Sequence, residues 1–203
     1  MEKMNWISVH SMTSETREYD KLEKWASEME EKFGEDQTFI EIGSYHGRST
    51  VLLAQYAKII TIDWHGSVDG GPGFPSVATD HIKPFIRTMR QFNLLETRVY
   101  PVICSSEVLN TLTLQNASLI FIDGDHTYEK CLLDIQRSHK HLRRGGYLVI
   151  HDMQREGPLW PECSTKVTDG QFGVSQAVHE YMDNNKGYEL VEHYTGIICF
   201  KRL

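Results

Sequence analysis

The sequence has no apolar run approaching the length of a membrane span, and its first residues carry no apolar signal region. Clustered base is also scarce: 21 Lys and Arg stand against 28 Asp and Glu, a formal charge of −7. Phosphate contacts need grouped cations, so a nucleic-acid groove is excluded as the main surface. Cysteine is sparse. Cys104, Cys131, Cys163 and Cys199 are widely spaced with no Cys-x-x-Cys pair, and Cys104 and Cys199 sit in apolar runs as buried thiols do. That pattern fits a reducing compartment, and the expectation is a cytoplasmic protein without membrane contact. No internal repeat or low-complexity segment occurs, and 203 residues suffice for one well-buried domain but not for two ordinary ones.

The chain is organised around residues 38–53. Phe39 to Ile42 is a short apolar run holding one acid, Glu41, and reads as a buried strand. Gly43 and Gly47 bracket a turn, and from Ser49 apolar residues recur at helical spacing through Val51, Leu52 and Ala54. A strand, a glycine turn and a helix open a nucleotide-binding α/β unit. Glycine lets a ligand approach the backbone, and the free N–H groups of a new helix favour an anion. Lys58 to Ile62 is a second strand, ending at Asp63. That acid lies twenty residues beyond Gly43, the offset at which a carboxylate meets ribose hydroxyls in dinucleotide folds.

Before this unit, residues 1–12 read as a loose lead-in. A helix from Ser14 carries Tyr19, Leu22, Ala26, Met29 and Phe33 on one stripe and stops at Gly34. We divide the chain into residues 1–37, lead-in and packing helix, and a domain over 38–203. Further on, Ile82 to Phe92 is helical, and Val99 to Cys104 is a strand that Pro101 confines to an edge. Ser105-Ser106-Glu107 caps a short helix. Ser118 to Ile122 is a strand whose run from Leu119 on is uninterrupted and apolar, hence central. A helix runs from Tyr128 to Leu142, with Arg143-Arg144 as its terminal cations and Gly145-Gly146 as its stop. Tyr147 to Ile150 is a strand, a helix is marked by Val174, Ala177, Val178 and Tyr181, and two strands flank Tyr194-Thr195-Gly196. The alternation predicts a Rossmann-like, doubly wound α/β fold with a mostly parallel seven-stranded sheet and a terminal antiparallel strand. Two glycine- and proline-rich loops, Trp64 to His81 and 153–172, follow strand ends on the ligand side. Trp64, Phe74, Trp160 and Phe172 there fit either an acceptor pocket or local anchors.

A second constellation ends the central strand: Phe121-Ile122-Asp123-Gly124-Asp125-His126-Thr127-Tyr128. Asp125 reads as the N-cap of a helix beginning near His126. Asp123 has a counterpart, because His151-Asp152 ends the adjoining strand. Oxygen and nitrogen donors converging on one rim suit a divalent cation, though both residues also serve as strand-end hydrogen-bonding groups.

With these residues in hand, the chain resembles class I S-adenosylmethionine-dependent methyltransferases, and among them the small O-methyltransferases of catechol and macrolide-sugar type. The likeness runs over residues 38–201, through Glu41-Ile42-Gly43-Ser44-Tyr45-His46-Gly47-Arg48-Ser49 and Phe121 to Glu129 with His151-Asp152 downstream. The resemblance implies that the backbone from Gly43 to Gly47, including Ser44 and Tyr45, and the Ser49 hydroxyl hold the methionine part of the cofactor. It sets Glu41 near the amino group, Asp63 on the ribose, and Ser105 and Ser106 beside the adenine, with Asp123 bordering the site. Asp123, His151 and Asp152 fall on the metal-ligand positions, where His151 replaces a commoner acid; the ion implied is Mg2+ or another divalent cation. His126 falls on the general-base position.

The activity so implied is O-methylation of a small hydroxylated metabolite, metal-assisted, with His126 and Asp123 in the catalytic group. A homo-oligomer stays open. A P-loop is disfavoured because the glycine turn is one residue short and Arg48 stands where lysine belongs, and a dehydrogenase because Gly-x-Gly-x-x-Gly is absent. A cofactor-binding module without activity, and a hydroxylase on the same fold, are the remaining alternatives.

Overall fold

The computed structural model describes residues 4–9, 17–65, 80–114, 116–153 and 173–203. Ser14, Phe74, Trp160, Phe172, Cys163 and most of both glycine-rich loops lie outside the described residues. In chain order the elements are α1 (Arg17–Phe33), β1 (Thr38–Ile42), α2 (Arg48–Leu53), β2 (Lys58–Ile62), α3 (Ile82–Gln91) and β3 (Val99–Val102). There follow β4 (Ala117–Ile122), α4 (Tyr128–His139), β5 (Leu142–Ile150), α5 (Gly173–Asn184), β6 (Tyr188–Tyr194) and β7 (Ile197–Arg202).

One seven-stranded sheet has the order β3-β2-β1-β4-β5-β7-β6. Parallel pairing runs from β3 to β5, and β7 is antiparallel to both its neighbours. Each βαβ crossover returns the chain to the same sheet end, so the carboxyl ends of β1, β2, β4 and β5 share one rim. As Pro101 requires, β3 is an edge strand; β4 sits at the centre and is buried along its whole length.

Alternation within the strands builds two cores. Phe39, Ile59, Leu119, Phe121 and Val149 face one side with α1, α2 and α3, where Leu22, Trp25, Met29, Leu52 and Phe85 pack. Ile40, Ile42, Ile120, Ile122, Leu148 and Ile150 face the other, against Cys131 and Ile135 of α4 and Ala177 and Val178 of α5. Burial on both faces is why the sequence shows continuous apolar runs in place of a polar-apolar alternation.

Four sequence expectations need correction. The lead-in is docked where it is described: Trp6 and Val9 are buried, Met4 N donates to Gln55 Oε1 (3.0 Å), and Arg48 Nε donates to the Val9 carbonyl (2.8 Å). Cys104 is only half-buried, whereas Cys131 and Cys199 are the buried thiols among the described residues. Helix α4 stops at His139, and β5 starts at Leu142, so Arg143, Arg144, Gly145 and Gly146 belong to a strand. At the helix end Arg202 Nη1 of β7 donates to the His139 carbonyl (2.7 Å), while the Arg143 guanidinium lies 3.8 Å over the Phe33 ring. At its other end α4 begins at Tyr128 after Thr127, and Asp125 Oδ1 accepts from Thr127 N (2.9 Å). Asp125 thus shapes the turn before the helix rather than capping it, and His126 precedes the helix.

Candidate active site

At the end of β1 the chain turns through Gly43 (φ +85°), and a Cβ there would stand 2.0 Å from the Asp123 carbonyl oxygen. Only glycine admits that approach, which lays the β1 turn directly on the end of β4. Backbone bonds lock the junction: Gly43 N donates to the Ile62 carbonyl (2.9 Å) and Asp123 N to the Ile42 carbonyl (2.8 Å). Asp63 completes this side. Its Oδ2 accepts from Ser44 N (2.7 Å) and Tyr45 N (2.9 Å), and its Oδ1 from His65 N (2.7 Å). The carboxylate therefore folds the glycine turn around itself. His65, which the sequence gave no reason to single out, is buried at φ +50° with its Nε2 3.5 Å from Ser44 Oγ.

Glu41 lies beneath the turn and is fully buried. Thr50 Oγ1 donates to its Oε2 (2.6 Å), while Oε1 has no partner. Burial raises its pKa to about 7 against the opposing pull of the hydroxyls around it, Thr50 among them. On the β3 side, Ser105 accepts from Glu107 N (3.3 Å) as a local cap. The Ser106 hydroxyl donates to Asp134 and accepts from Arg137 Nη1 (3.1 Å). Asp134, buried on α4, is a polar residue the sequence did not single out, and it makes Ser106 part of the loop's support.

The β4 and β5 ends differ in kind. Asp123, His126 and Asp152 each offer a ligand atom, and these atoms lie within 4.8 Å of one another. His126 Nε2 is 3.0 Å from Asp152 Oδ2 and 3.7 Å from Asp123 Oδ1, with 49% of its side chain exposed. Burial opposes charge on this ring, but the Asp123 and Asp152 carboxylates facing it outweigh that and push the pKa up to about 10. Burial would also raise Asp123, yet the charge of His151 and the nearby His126 ring hold it at about 2. Asp152 is held in the left-handed region at φ +59°, a costly conformation for a residue with a Cβ. The turn carrying His126 is backed by Gly173, where a Cβ would meet the His126 carbonyl at 2.5 Å.

His151 is buried below this group. Its Nε2 lies 2.9 Å from Glu18 Oε2, and its Nδ1 lies 3.2 Å from Asp123 Oδ1 and 3.4 Å from Asp152 Oδ1, without hydrogen-bond geometry to either. Burial disfavours charge there, but the attraction of Asp123 and the bond to Glu18 hold its pKa well above the usual histidine value. Glu18 comes from α1. A signal for it existed: residues 18, 22, 25 and 29 form one buried stripe, and Glu18 is the one carboxylate on it.

The residues fit a divalent cation. Two carboxylates converge with imidazole donors, and a buried ring nitrogen of His151 faces the same carboxylates without a partner. A mixed oxygen and nitrogen set suits first-row transition ions as well as Mg2+, and binding would release the His151 proton.

Strand order, glycine turn and rim acids together define the Rossmann-like methyltransferase fold. The chain belongs to the methyltransferase domain family, whose model matches residues 40–153. An uncharacterized protein of Acanthamoeba polyphaga mimivirus is 29% identical over 151 residues, 68% of this chain and 63% of the relative, so the match spans less than two thirds of that protein. The fold is similar to the O-methyltransferase from Bacillus cereus in complex with SAH (TM-score 0.71, 15% identity, 96% of this chain and 84% of that one). It is similar also to the O-methyltransferase NovP (TM-score 0.69, 17% identity, 95% and 82%). Among the described residues no helix is long and apolar enough to cross a membrane.

Proposed function

We propose that the protein is an S-adenosylmethionine-dependent O-methyltransferase acting on a hydroxyl of a small metabolite, with His126 as general base. The observation that carries this reading is the contact of two unlike half-sites: the glycine turn pinned by Asp63 abuts, through Gly43, the group formed by Asp123, His126 and Asp152. The methionine part of the cofactor would lie along Gly43 to Gly47 and Ser49, its ribose at Asp63 and its adenine toward the Ser105-Ser106 turn. The unpartnered Oε1 of Glu41 supplies an acceptor for the cationic amino group.

In the transfer, the acceptor oxygen bonds to the sulfonium methyl carbon while the carbon–sulfur bond breaks, its electron pair returning to sulfur as a neutral thioether. The hydroxyl proton passes to His126, and alignment of the three atoms supplies much of the rate. One ring cannot ligate an ion and take this proton at once, so His126 as base leaves Asp123, Asp152 and His151 Nδ1 as the donors for a cation. When bound, such an ion would offset the two carboxylates that hold His126 protonated and would acidify a hydroxyl in contact with it.

The test is calorimetry with S-adenosylmethionine and S-adenosylhomocysteine, then mass-spectrometric detection of methylated products from a panel of hydroxylated acceptors, with and without chelator. Micromolar binding and a chelator-sensitive product are expected. Absence of binding at millimolar nucleoside overturns the assignment, and an undiminished product after chelation removes the ion.

A further inference from the structure

We infer that Glu18, on a helix outside the matched methyltransferase segment, is a positioning residue that aims His151 Nδ1 at the carboxylates of Asp123 and Asp152 and so builds the cation site. The inference rests on the reading above that this rim holds a cation.

Three observations carry it. Glu18 is 7% exposed and turns both carboxylate oxygens to the site: Oε2 meets His151 Nε2 (2.9 Å), and Oε1 accepts from Thr195 Oγ1 (2.7 Å) and Gly196 N (2.5 Å). With Nε2 engaged there, the ring can present only Nδ1 to the rim, where that atom lies buried and without a hydrogen-bond partner. A histidine that binds a metal through one nitrogen commonly gives the other to a carboxylate, which fixes the ring's orientation.

The hairpin between β6 and β7 is shaped to receive this carboxylate. Thr195 takes φ +47°, and at Gly196 a Cβ would fall 2.7 Å from Glu18 Oε1. The Gly196 carbonyl in turn accepts from Met153 N (2.9 Å). The left-handed Asp152 is thus held on both flanks, by His151 through Glu18 and by Met153 through the hairpin that Glu18 ties down. Two non-neighbouring parts of the chain, α1 and the β6–β7 turn, meet on one carboxylate to fix a strained ligand.

Mn2+ alone is the probe. Its affinity for the full chain is measured by the loss of free-ion paramagnetic resonance signal, for wild type, Glu18→Ala, Glu18→Gln and Gly196→Ala, with melting temperature and S-adenosylhomocysteine calorimetry alongside. Glu18→Ala is expected to weaken Mn2+ about 10- to 100-fold. Gly196→Ala, which leaves Glu18 in the chain but displaces its carboxylate, should give a smaller loss in the same direction. Nucleoside affinity should stay within about twofold of wild type, as for a site without shared partners. Wild-type Mn2+ affinity in the variants, even with a lowered melting temperature, makes Glu18 a stability residue and overturns the inference, as does a wild-type chain that binds no Mn2+. Failure of the nucleoside to bind wild type, with Mn2+ bound as expected, would instead overturn the methyltransferase reading. Should Glu18→Ala not fold, Glu18→Gln and Gly196→Ala carry the test.

Discussion

The two halves of the rim reach their order by opposite means. Around β1 and β2 the site is mostly backbone: glycines in the left-handed region, amide N–H groups, the Asp63 carboxylate holding three of those amides, and Glu41 buried beneath. Around β4 and β5 it is charge: two carboxylates, two imidazoles and a buried glutamate from a distant helix, each shifting the others' protonation. The amides of the turn are preformed and do not titrate, which leaves Glu41 beneath them as the group of that half with a raised pKa. The charged half is poised, because any change in one member redistributes protons among the rest.

That contrast can be broken in order of expected effect. His126→Ala should lower single-turnover methyl transfer by about 10²- to 10⁴-fold, the usual worth of a positioned acid–base group, and leave nucleoside affinity unchanged by calorimetry. A loss of both would show the halves are not separable. Gly43→Ala strikes the seam itself, placing a Cβ against the Asp123 carbonyl at a positive φ; urea denaturation should report a loss of about 3 kcal/mol or more.

Glu41→Gln tests the ionisable group under the backbone half. Its folded pKa of about 7 exceeds the ordinary 4.5. The protonated carboxyl therefore adds stability that is complete below pH 4.5 and is lost as pH rises through about 7. That contribution is on the order of 3 kcal/mol at most. The unliganded wild type should lose stability relative to Glu41→Gln across that window, and parallel curves for the two proteins would refute the shift. Asp63→Ala should weaken S-adenosylhomocysteine by about 2 kcal/mol, roughly thirtyfold, with less effect on Mn2+. Far from both halves, Arg143→Ala should cost about 0.5–1 kcal/mol for the lost contact with Phe33 and leave activity alone.

The backbone half was legible because its signals are contiguous. Gly43, Gly47 and Asp63 fall within one strand-turn-helix-strand stretch, where periodicity and glycine spacing carry the geometry. The charged half was legible in its members and in the rim they share, not in their contacts. Asp123, His151 and Asp152 stood out as polar ends of adjoining apolar strands, but the contact of His126 with Asp152 did not. Sequence spacing set His126 on the first turn of a helix, whereas the Asp125 turn places it before that helix, against Asp152. The helix end at Arg143-Arg144 misled for a similar reason: a basic pair followed by two glycines satisfies a local stop, and the choice of strand was made by pairing with β4.

By itself the sequence determined the layer order, the central position of β4, the edge position of β3 and the rim to which every candidate residue belongs. Those features follow from apolar period, glycine and proline, which act over a few residues. Only the tertiary structure decided that Glu18, 133 residues before His151, meets its ring nitrogen, and that Thr195 and Gly196 close around the same carboxylate. Burial of a charge depends on what the fold brings beside it, and no local pattern along the chain encodes that neighbour.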